Sequence, residues 1–180
     1  MKNNISEKSL PKKIIAFVGL MGVGKTTLGM KLASKLGYYF IDCDQEIEDR
    51  EGKTITEIFA QKGEKYFRDV EKKIIQEIIS RDEEIVLSLG GGAFIDDENR
   101  KIIKEKCLTI WLYATIDTIL QRVGNKNNRP LLKQKNRREV LRELAEKRYP
   151  LYAEADCKFD TSNENHENLI AKIIKKINDK

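Results

Sequence analysis

The chain of 180 residues has few cysteines, a single histidine and no long apolar run. Cys43, Cys107 and Cys157 are far apart, which argues against a disulfide framework and lacks the close pairs of a zinc site. No apolar stretch is long enough to cross a bilayer, and residues 1–13 lack the apolar core of a signal peptide. We therefore expect a cytoplasmic protein with reduced, packed cysteines and no membrane partner.

The charge pattern does not favour nucleic acid as a partner. The net charge of +5 comes from 34 basic and 29 acidic residues that are interspersed along the chain. The one basic run, residues 133–138, lacks the aromatic residues that nucleic-acid interfaces interleave with lysine and arginine. We interpret this run as a solvated face, and the basic excess as suited to small anionic substrates. His166 is interpreted as a surface residue, and a monomer is expected.

The order of apolar runs and helical patterns predicts an α/β fold in a single domain, residues 1–180. No repeat or Pro/Ser-rich linker divides the chain. Five short apolar segments read as strands, and each is followed by a segment of helical period: 14–18, 39–42, 85–89, 107–112 and 158–160. This alternation predicts a three-layer α/β/α arrangement with a five-stranded parallel sheet. Ligands of such sheets bind beyond the carboxyl ends of the strands.

Three segments depart from this rhythm. Residues 1–13 are expected to be disordered. Residues 44–72 contain an insertion, with two short helical patterns separated by Gly52 before a long helix, and are predicted to form a small substrate-binding lobe. The polar, turn-rich residues around 123–135 are interpreted as a lid, with an ordinary surface loop as the alternative.

A phosphate-binding loop follows the first predicted strand directly. Residues 19–26 read Gly-Leu-Met-Gly-Val-Gly-Lys-Thr, a complete Gly-x-x-x-x-Gly-Lys-Thr motif. Its glycines allow several backbone N–H groups to point at one phosphate tail. Lys25 can reach the β- and γ-phosphates, and the Thr26 hydroxyl can bind Mg²⁺ at the start of the next helix. The motif predicts a nucleoside triphosphate ligand but does not identify the acceptor.

Asp42 and Asp44 stand at the end of the second predicted strand. If the strand continues through both, the two carboxylates project from one face. One could then lie near Mg²⁺ while the other orients or deprotonates an attacking hydroxyl. The alternative is a structural role, in which Asp44 caps a helix that begins at Gln45.

Two arginines occupy positions where a helix would be expected to be apolar. Arg148 lies on the face of Leu141, Leu144 and Ala145, and an inward cation requires an anion. Arg68 borders the apolar stripe of an earlier helix, three residues from Glu71. A buried Arg68–Glu71 pair and a snorkelling Arg148 are the structural alternatives. Two arginines that point into one cleft would suit a carboxylate or a phosphate.

Three consecutive glycines follow the third predicted strand. Gly90, Gly91 and Gly92 leave the carboxyl end of that strand without side chains, so a ligand can approach the backbone closely. Such a run costs folding entropy, which favours a function over a loose turn.

In combination these features resemble the shikimate kinase family. The matching segments occur in order and span residues 14–161: the loop at 19–27, Asp-Cys-Asp at 42–44, Gly-Glu-Lys-Tyr-Phe-Arg-Asp-Val-Glu at 63–71, Gly-Gly-Gly-Ala at 90–93, Arg-Pro-Leu-Leu at 129–132 and Arg-Tyr-Pro-Leu-Tyr at 148–152. The loop is common to many kinases, whereas the later segments together are specific. The resemblance implies a fold of the P-loop NTPase type and transfer of the ATP γ-phosphoryl group to the 3-hydroxyl of shikimate.

The resemblance also implies roles for particular residues. ATP, the co-substrate, would be held by Gly22, Val23, Gly24, Lys25, Thr26, Thr27, Arg122 and Arg129. Mg²⁺ would bind Thr26 directly and Asp42 through water. Shikimate would be held by Asp44, Arg68, Glu71, Gly90, Gly91, Gly92 and Arg148. Lys25, Asp44 and Arg129 would be catalytic, with Asp44 as candidate base and Arg129 swinging from the lid onto the phosphates.

Two other functions stay open at this point. A related kinase could act on gluconate or another small hydroxylated acceptor, because gluconate also carries a carboxylate. A regulatory nucleotide-binding protein would use the loop without transferring phosphate, but it would have no use for Asp44, Arg68 and Arg148 as a converging set.

Overall fold

The computed structural model describes residues 12–124 and 136–179 and contains a five-stranded, fully parallel sheet. The strands are β1 (Ile14–Val18), β2 (Tyr39–Asp42), β3 (Ile85–Ser88), β4 (Cys107–Tyr113) and β5 (Cys157–Asp160). They lie in the order β2-β3-β1-β4-β5. The central strands β1 and β3 are buried along their whole length, which explains why they are continuous apolar runs. The predicted α/β class and parallel sheet are confirmed.

Seven helices connect and flank the strands in the described part of the chain. They are α1 (Lys25–Leu36), α2 (Cys43–Glu51), α3 (Ile55–Ile79), α4 (Asp97–Lys106), α5 (Ile116–Val123), α6 (Arg137–Tyr152) and α7 (His166–Asn178). The crossover from β1 to β2 runs in the opposite direction to the one from β3 to β4. Because such crossovers are right-handed, α1 covers one face of the sheet and α4 the other. Helix α7 packs against α1, and α3 packs against α4.

The point at which the crossovers change direction lies between β1 and β3. Strands β1 and β3 are neighbours, with Phe17 paired to Ser88. Residues that follow these two strands therefore emerge side by side at one edge of the sheet. Residues 19–24 follow β1, and the three glycines at 90–92 follow β3. This edge is the point at which open parallel sheets bind ligands.

The segment after β2 folds as two helices with a sharp kink. Helix α2 ends at Gly52, and α3 begins with a capping box in which Thr54 and Glu57 bond to each other's backbone N–H. Gly63 interrupts α3 with φ 81° and ψ 171°, so a short helix precedes the long one that carries Arg68. Glu51 accepts hydrogen bonds from Lys62 and Tyr66, which ties α2 to α3 across the kink.

The structure describes only a few residues of the predicted disordered segment and of the predicted lid. Of residues 1–13, Lys12 and Lys13 are described, and Lys12 donates to the Cys107 carbonyl at 3.0 Å. Of the predicted lid, 123–135, Val123 and Gly124 are described, and the rest lies outside the described residues. The three cysteines are free, and two are buried. No helix in the described ranges is both long and apolar enough to span a bilayer.

Candidate active site

The loop after β1 has the geometry of a phosphate cradle. Gly19, Gly22 and Gly24 have φ of 144°, 78° and 97°, conformations that favour glycine. A Cβ on Gly19 would lie 2.3 Å from the Leu112 carbonyl oxygen, so even an alanine would not fit there. Helix α1 begins immediately afterwards at Lys25, which directs its N-terminal N–H groups and positive dipole end at the loop.

Lys25 lies folded over this loop. Its Nζ donates to the carbonyl oxygens of Gly19 and Leu20 at 2.9 and 3.0 Å. The ammonium group is therefore positioned at the centre of the turn, where the tail of a triphosphate would lie. Val23 is buried, and Thr27 lies exposed in the first turn of α1.

Thr26 and Asp42 meet at the same edge. The Thr26 hydroxyl donates to Asp42 Oδ2 at 2.7 Å, and Asp42 Oδ1 accepts from the Asp44 N–H at 3.1 Å. A hydroxyl and a carboxylate are the hard oxygen donors that Mg²⁺ prefers. In the described ranges no three His, Cys, Asp or Glu side chains cluster as a metal cage. The pair thus fits a cation that completes its coordination with water and substrate phosphates.

The structure corrects the boundary between β2 and α2. The strand ends at Asp42 and the helix begins at Cys43, so Asp42 and Asp44 do not share a strand face. Nor does Asp44 cap a helix that begins at Gln45; Asp42 is the N-cap, and Asp44 lies in the first helical turn. The physical reason is that the Asp42 carboxylate accepts the N–H of Asp44, which starts the helix two residues early.

Four charged side chains converge on the three glycines. A Cβ on Gly90 would lie 2.7 Å from Asp44 Oδ1 and 2.9 Å from Glu71 Oε1. One on Gly91 would lie 3.0 Å from Arg148 Nη1, and one on Gly92 only 2.5 Å from Arg68 Nη2. The glycines are therefore required by close contact. They allow two carboxylates and two guanidinium groups to approach one stretch of backbone beside the phosphate-binding loop.

Arg68 and Glu71 form the ion pair that their spacing on one helix allows. Arg68 Nη1 donates to Glu71 Oε2 at 2.7 Å, and Glu71 is 1% exposed. Burial raises the pKa of Glu71, and the opposing charge of Arg68 offsets this only partly. Burial disfavours the charge of Arg68, but Glu71 and Glu64 more than compensate and raise its pKa. Arg68 is therefore a permanent cation, held at the cleft by a partner on its own helix.

Arg148 reaches the cleft from the opposite side. Its Nη1 donates to the Gly91 carbonyl at 2.9 Å, and the side chain is half-buried. The Tyr152 hydroxyl, one helical turn later, donates to the same carbonyl. Burial raises the pKa of Tyr152 to about 12, although Arg148 acts in the opposite direction. Arg148 thus points inward, as its position on the apolar face of α6 predicts.

Arg122 is linked to the phosphate-binding loop through Thr161. It donates to the Thr161 hydroxyl at 2.9 Å and to the Thr161 carbonyl, and the Thr161 hydroxyl donates to the Val23 carbonyl at 3.0 Å. This chain of contacts joins α5 to the phosphate-binding loop. Arg129, in the predicted lid, lies outside the described residues.

Sequence reasoning missed the structural contribution of two residues. Tyr152 belongs to the matching segment at 148–152, and its spacing of four from Arg148 places both on one helix face. Thr161 is 2% exposed and links Arg122 to Val23, but a single threonine after a strand carries no recognisable signal.

A phosphate-binding loop at the switch point of a parallel sheet, beside a cleft with two inward arginines, defines a small-molecule kinase of the P-loop class. The family model for shikimate kinase matches residues 21–178. The chain belongs to the shikimate kinase family. It is a kinase that uses ATP as co-substrate and acts on shikimate, in the biosynthesis of aromatic amino acids.

Individual relatives agree with this assignment. The shikimate kinase of Caulobacter vibrioides is 44% identical over 92% of this chain and 82% of its own length. That of Persephonella marina is 45% identical over 91% and 98%. The structure of the Acinetobacter baumannii shikimate kinase in complex with shikimate is 39% identical, covers 94% of both chains and superposes with a TM-score of 0.90. A gluconokinase from Sinorhizobium meliloti, 16% identical with a TM-score of 0.60, shares the fold alone.

Proposed function

We propose that the cleft transfers the γ-phosphoryl group of ATP to the 3-hydroxyl of shikimate, giving shikimate 3-phosphate and ADP. The observation that carries this proposal is the convergence of Asp44, Arg68 and Arg148 on the glycines beside the phosphate-binding loop. Two cations suit a carboxylate, and one carboxylate suits a hydroxyl. Shikimate carries both groups on one small ring.

The donor half of the site would be the loop and its neighbours. The backbone N–H groups of residues 22–27 and the Lys25 ammonium group would hold the phosphates, with Lys25 leaving the Gly19 and Leu20 carbonyls for the β- and γ-oxygens. Arg122 would lie against the adenine, because its contact with Thr161 holds it next to the loop. Arg129 is assigned by resemblance to the phosphates, where its charge would stabilise the transferring group.

We propose Mg²⁺ as the cation of this site, bound directly by Thr26 and through water by Asp42. The contact between the two side chains and their hard oxygen atoms support the assignment. When bound, the ion neutralises charge on the phosphate oxygens.

In the acceptor half of the site, shikimate would be held by cationic side chains at one end and by a carboxylate at the other. Arg68 and Arg148 would bind the carboxylate with forked hydrogen bonds, and Glu71 would orient Arg68. The backbone of residues 90–92 would contact the ring hydroxyls. Asp44 would bind the 3-hydroxyl and is the candidate base for its proton. The hydroxyl oxygen forms a bond to the γ-phosphorus as the bond from that phosphorus to the ADP oxygen breaks.

We further propose a monomer that works in the cytoplasm with ATP and shikimate and without nucleic acid or membrane partners. The interspersed surface charge and the small size of both substrates support this. Residues 44–72 would close over shikimate as a substrate-binding lobe, and residues 123–135 would close over ATP as a lid.

Coupled ADP release tests the proposal most directly. Shikimate, gluconate and nucleoside monophosphates are offered separately, and a reaction without acceptor measures ATP hydrolysis. We expect turnover with shikimate alone. Turnover with gluconate but not shikimate would refute the acceptor assignment, and nucleotide binding without turnover of any acceptor would favour a regulatory protein.

A further inference from the structure

The turn that carries the three glycines has few hydrogen bonds of its own. In the described structure, two backbone bonds close it, from Ala93 N–H to the Gly90 carbonyl and from Ile95 N–H to the Gly92 carbonyl, each 3.1 Å. Yet the proposed function requires this backbone to lie against two guanidinium groups and the substrate ring. Something outside the turn must hold it in place.

Arg100, in the first half of α4, donates hydrogen bonds to the backbone that follows this turn. Its Nη1 donates to the carbonyl oxygens of Phe94 and Ile95 at 3.2 and 3.1 Å, and its side chain is 14% exposed. Hydrogen bonds from a charged donor in a partly buried position are stronger than neutral ones. Arg100 therefore holds the backbone two and three residues after the last glycine.

The same guanidinium group also reaches the end of α6. Arg100 Nε lies 3.3 Å from Glu154 Oε1, and Lys104 Nζ lies 2.7 Å from Glu154 Oε2. Glu154 is two residues beyond Tyr152, whose hydroxyl donates to the Gly91 carbonyl. The turn is thus tied to the end of α6 at two points, by Tyr152 on one side and by Arg100 through Glu154 on the other.

From these contacts we infer that Arg100 is a positioning residue for the acceptor site. It sets the distance between the glycine turn and Arg148, without touching the substrate itself. This inference rests on the proposed function, because it concerns the affinity of the cleft for shikimate. The pair with Asp97 is secondary, since the Asp97 side chain is 89% exposed and surface ion pairs contribute little.

The test compares Arg100→Ala and Arg100→Lys with wild-type enzyme, measuring KM for shikimate and for ATP separately. We expect Arg100→Ala to raise the shikimate KM by about tenfold or more, because it removes one or two such hydrogen bonds. The ATP KM should change by less than about twofold, because the phosphate-binding loop has none of these contacts. Arg100→Lys should recover part of the affinity, since an ammonium group can still donate to one carbonyl.

Two further variants keep the inference falsifiable if Arg100→Ala does not fold. Glu154→Gln should raise the shikimate KM to an intermediate value, and Asp97→Asn should leave it within about twofold of wild type. An equal rise in both KM values, or an Asp97→Asn effect as large as that of Arg100→Lys, would overturn the assignment. If wild-type enzyme does not turn over shikimate, the proposed function fails instead, and shikimate titration calorimetry on the same variants then decides the role of Arg100.

Discussion

Arg148 shows how a single side chain can be assigned to one of two substrates. It lies on the apolar face of α6 and donates to the Gly91 carbonyl, on the side of the cleft proposed for shikimate. We expect Arg148→Ala to raise the shikimate KM by about 10- to 100-fold, or to abolish turnover, because a charge-assisted hydrogen bond is lost. ATP binding, measured by calorimetry, should stay nearly unchanged.

The matched control for this variant is Arg142→Ala, on the exposed side of the same helix. It removes the same charge and should leave both affinities unchanged. A selective loss of ATP affinity in Arg148→Ala would contradict its role at the acceptor. Unfolding of that variant would instead support a purely structural, snorkelling arginine.

A substitution at Gly92 tests whether the turn needs residues without side chains. A Cβ there would lie 2.5 Å from Arg68 Nη2, the movable end of a long side chain. Gly92→Ala should therefore fold with near-normal stability but displace Arg68, raising the shikimate KM by about tenfold. The control is Gly37→Ala, whose φ of 73° makes alanine strained in open space. It should lower stability by about 1 kcal/mol and leave KM unchanged, and the reverse pattern would contradict the argument.

Tyr152 gives the stability a dependence on alkaline pH. Burial raises its pKa from 10.0 to about 12, so the unfolded state loses this proton first as the pH rises. Its contribution is complete below pH 10 and is lost as the pH rises through about 12. Deprotonation of Tyr152 in the unfolded state should therefore lower the unfolding free energy by about 0.8 kcal/mol between about pH 8 and 10.5.

Urea unfolding at those two pH values measures this contribution. In Tyr152→Phe the drop in unfolding free energy should be smaller than in wild type by that amount. The remaining drop includes Cys107 and Tyr149, whose pKa values burial also raises to about 12. Tyr39→Phe is the control, because Tyr39 is 66% exposed. An unchanged pH dependence in Tyr152→Phe would refute the assignment.

At the scale of elements, the kink in α3 determines where Arg68 points. Gly63 has φ 81° and ψ 171°, a region essentially restricted to glycine, and its surroundings are open. The cost of Gly63→Ala is therefore backbone strain, about 1–3 kcal/mol of unfolding free energy. Arg68 lies five residues later on the same helix, so we also expect a higher shikimate KM.

Thr54→Ala at the start of α3 provides the comparison. It removes the capping box and should cost about 1 kcal/mol. Because the kink remains, the shikimate KM should not change. Equal KM values in both variants, measured with their unfolding free energies, would show that the kink does not position Arg68.

At the scale of the whole molecule, two half-sites with different chemistry meet at one edge of the sheet. Thr26 and Asp42 lie on the proposed donor side, whereas Arg68 and Arg148 line the proposed acceptor side. If Thr26 and Asp42 hold Mg²⁺ as proposed, EDTA should reduce turnover at least 100-fold, because charge on the phosphate oxygens is no longer neutralised. The dissociation constant of shikimate, measured by calorimetry without nucleotide, should change less than about twofold. A parallel loss of shikimate binding would contradict the division into two halves.

Much of this arrangement could be predicted from the sequence, because its signals are local. The loop motif needs only adjacent residues, and the strands are apolar runs whose burial follows from their composition. Arg148 could be placed on an apolar helix face from helical spacing alone. The boundary at Asp42 could not, because one side-chain hydrogen bond to the Asp44 N–H decides between strand and helix. The contacts of Arg100 could not either, since its partners are carbonyl oxygens, which every residue has.

By itself the sequence determined the class of fold and the phosphate-binding loop, and the spacing of Arg68 and Glu71 on one helix allowed the ion pair that the structure shows. Only the tertiary structure decided that Asp44, Arg68 and Arg148 face one another across three glycines. These residues lie on α2, α3 and α6, and their meeting depends on the strand order that makes β1 and β3 neighbours. Local patterns specify elements, whereas long-range packing brings their ends together, which is why the cleft appears only in the folded chain.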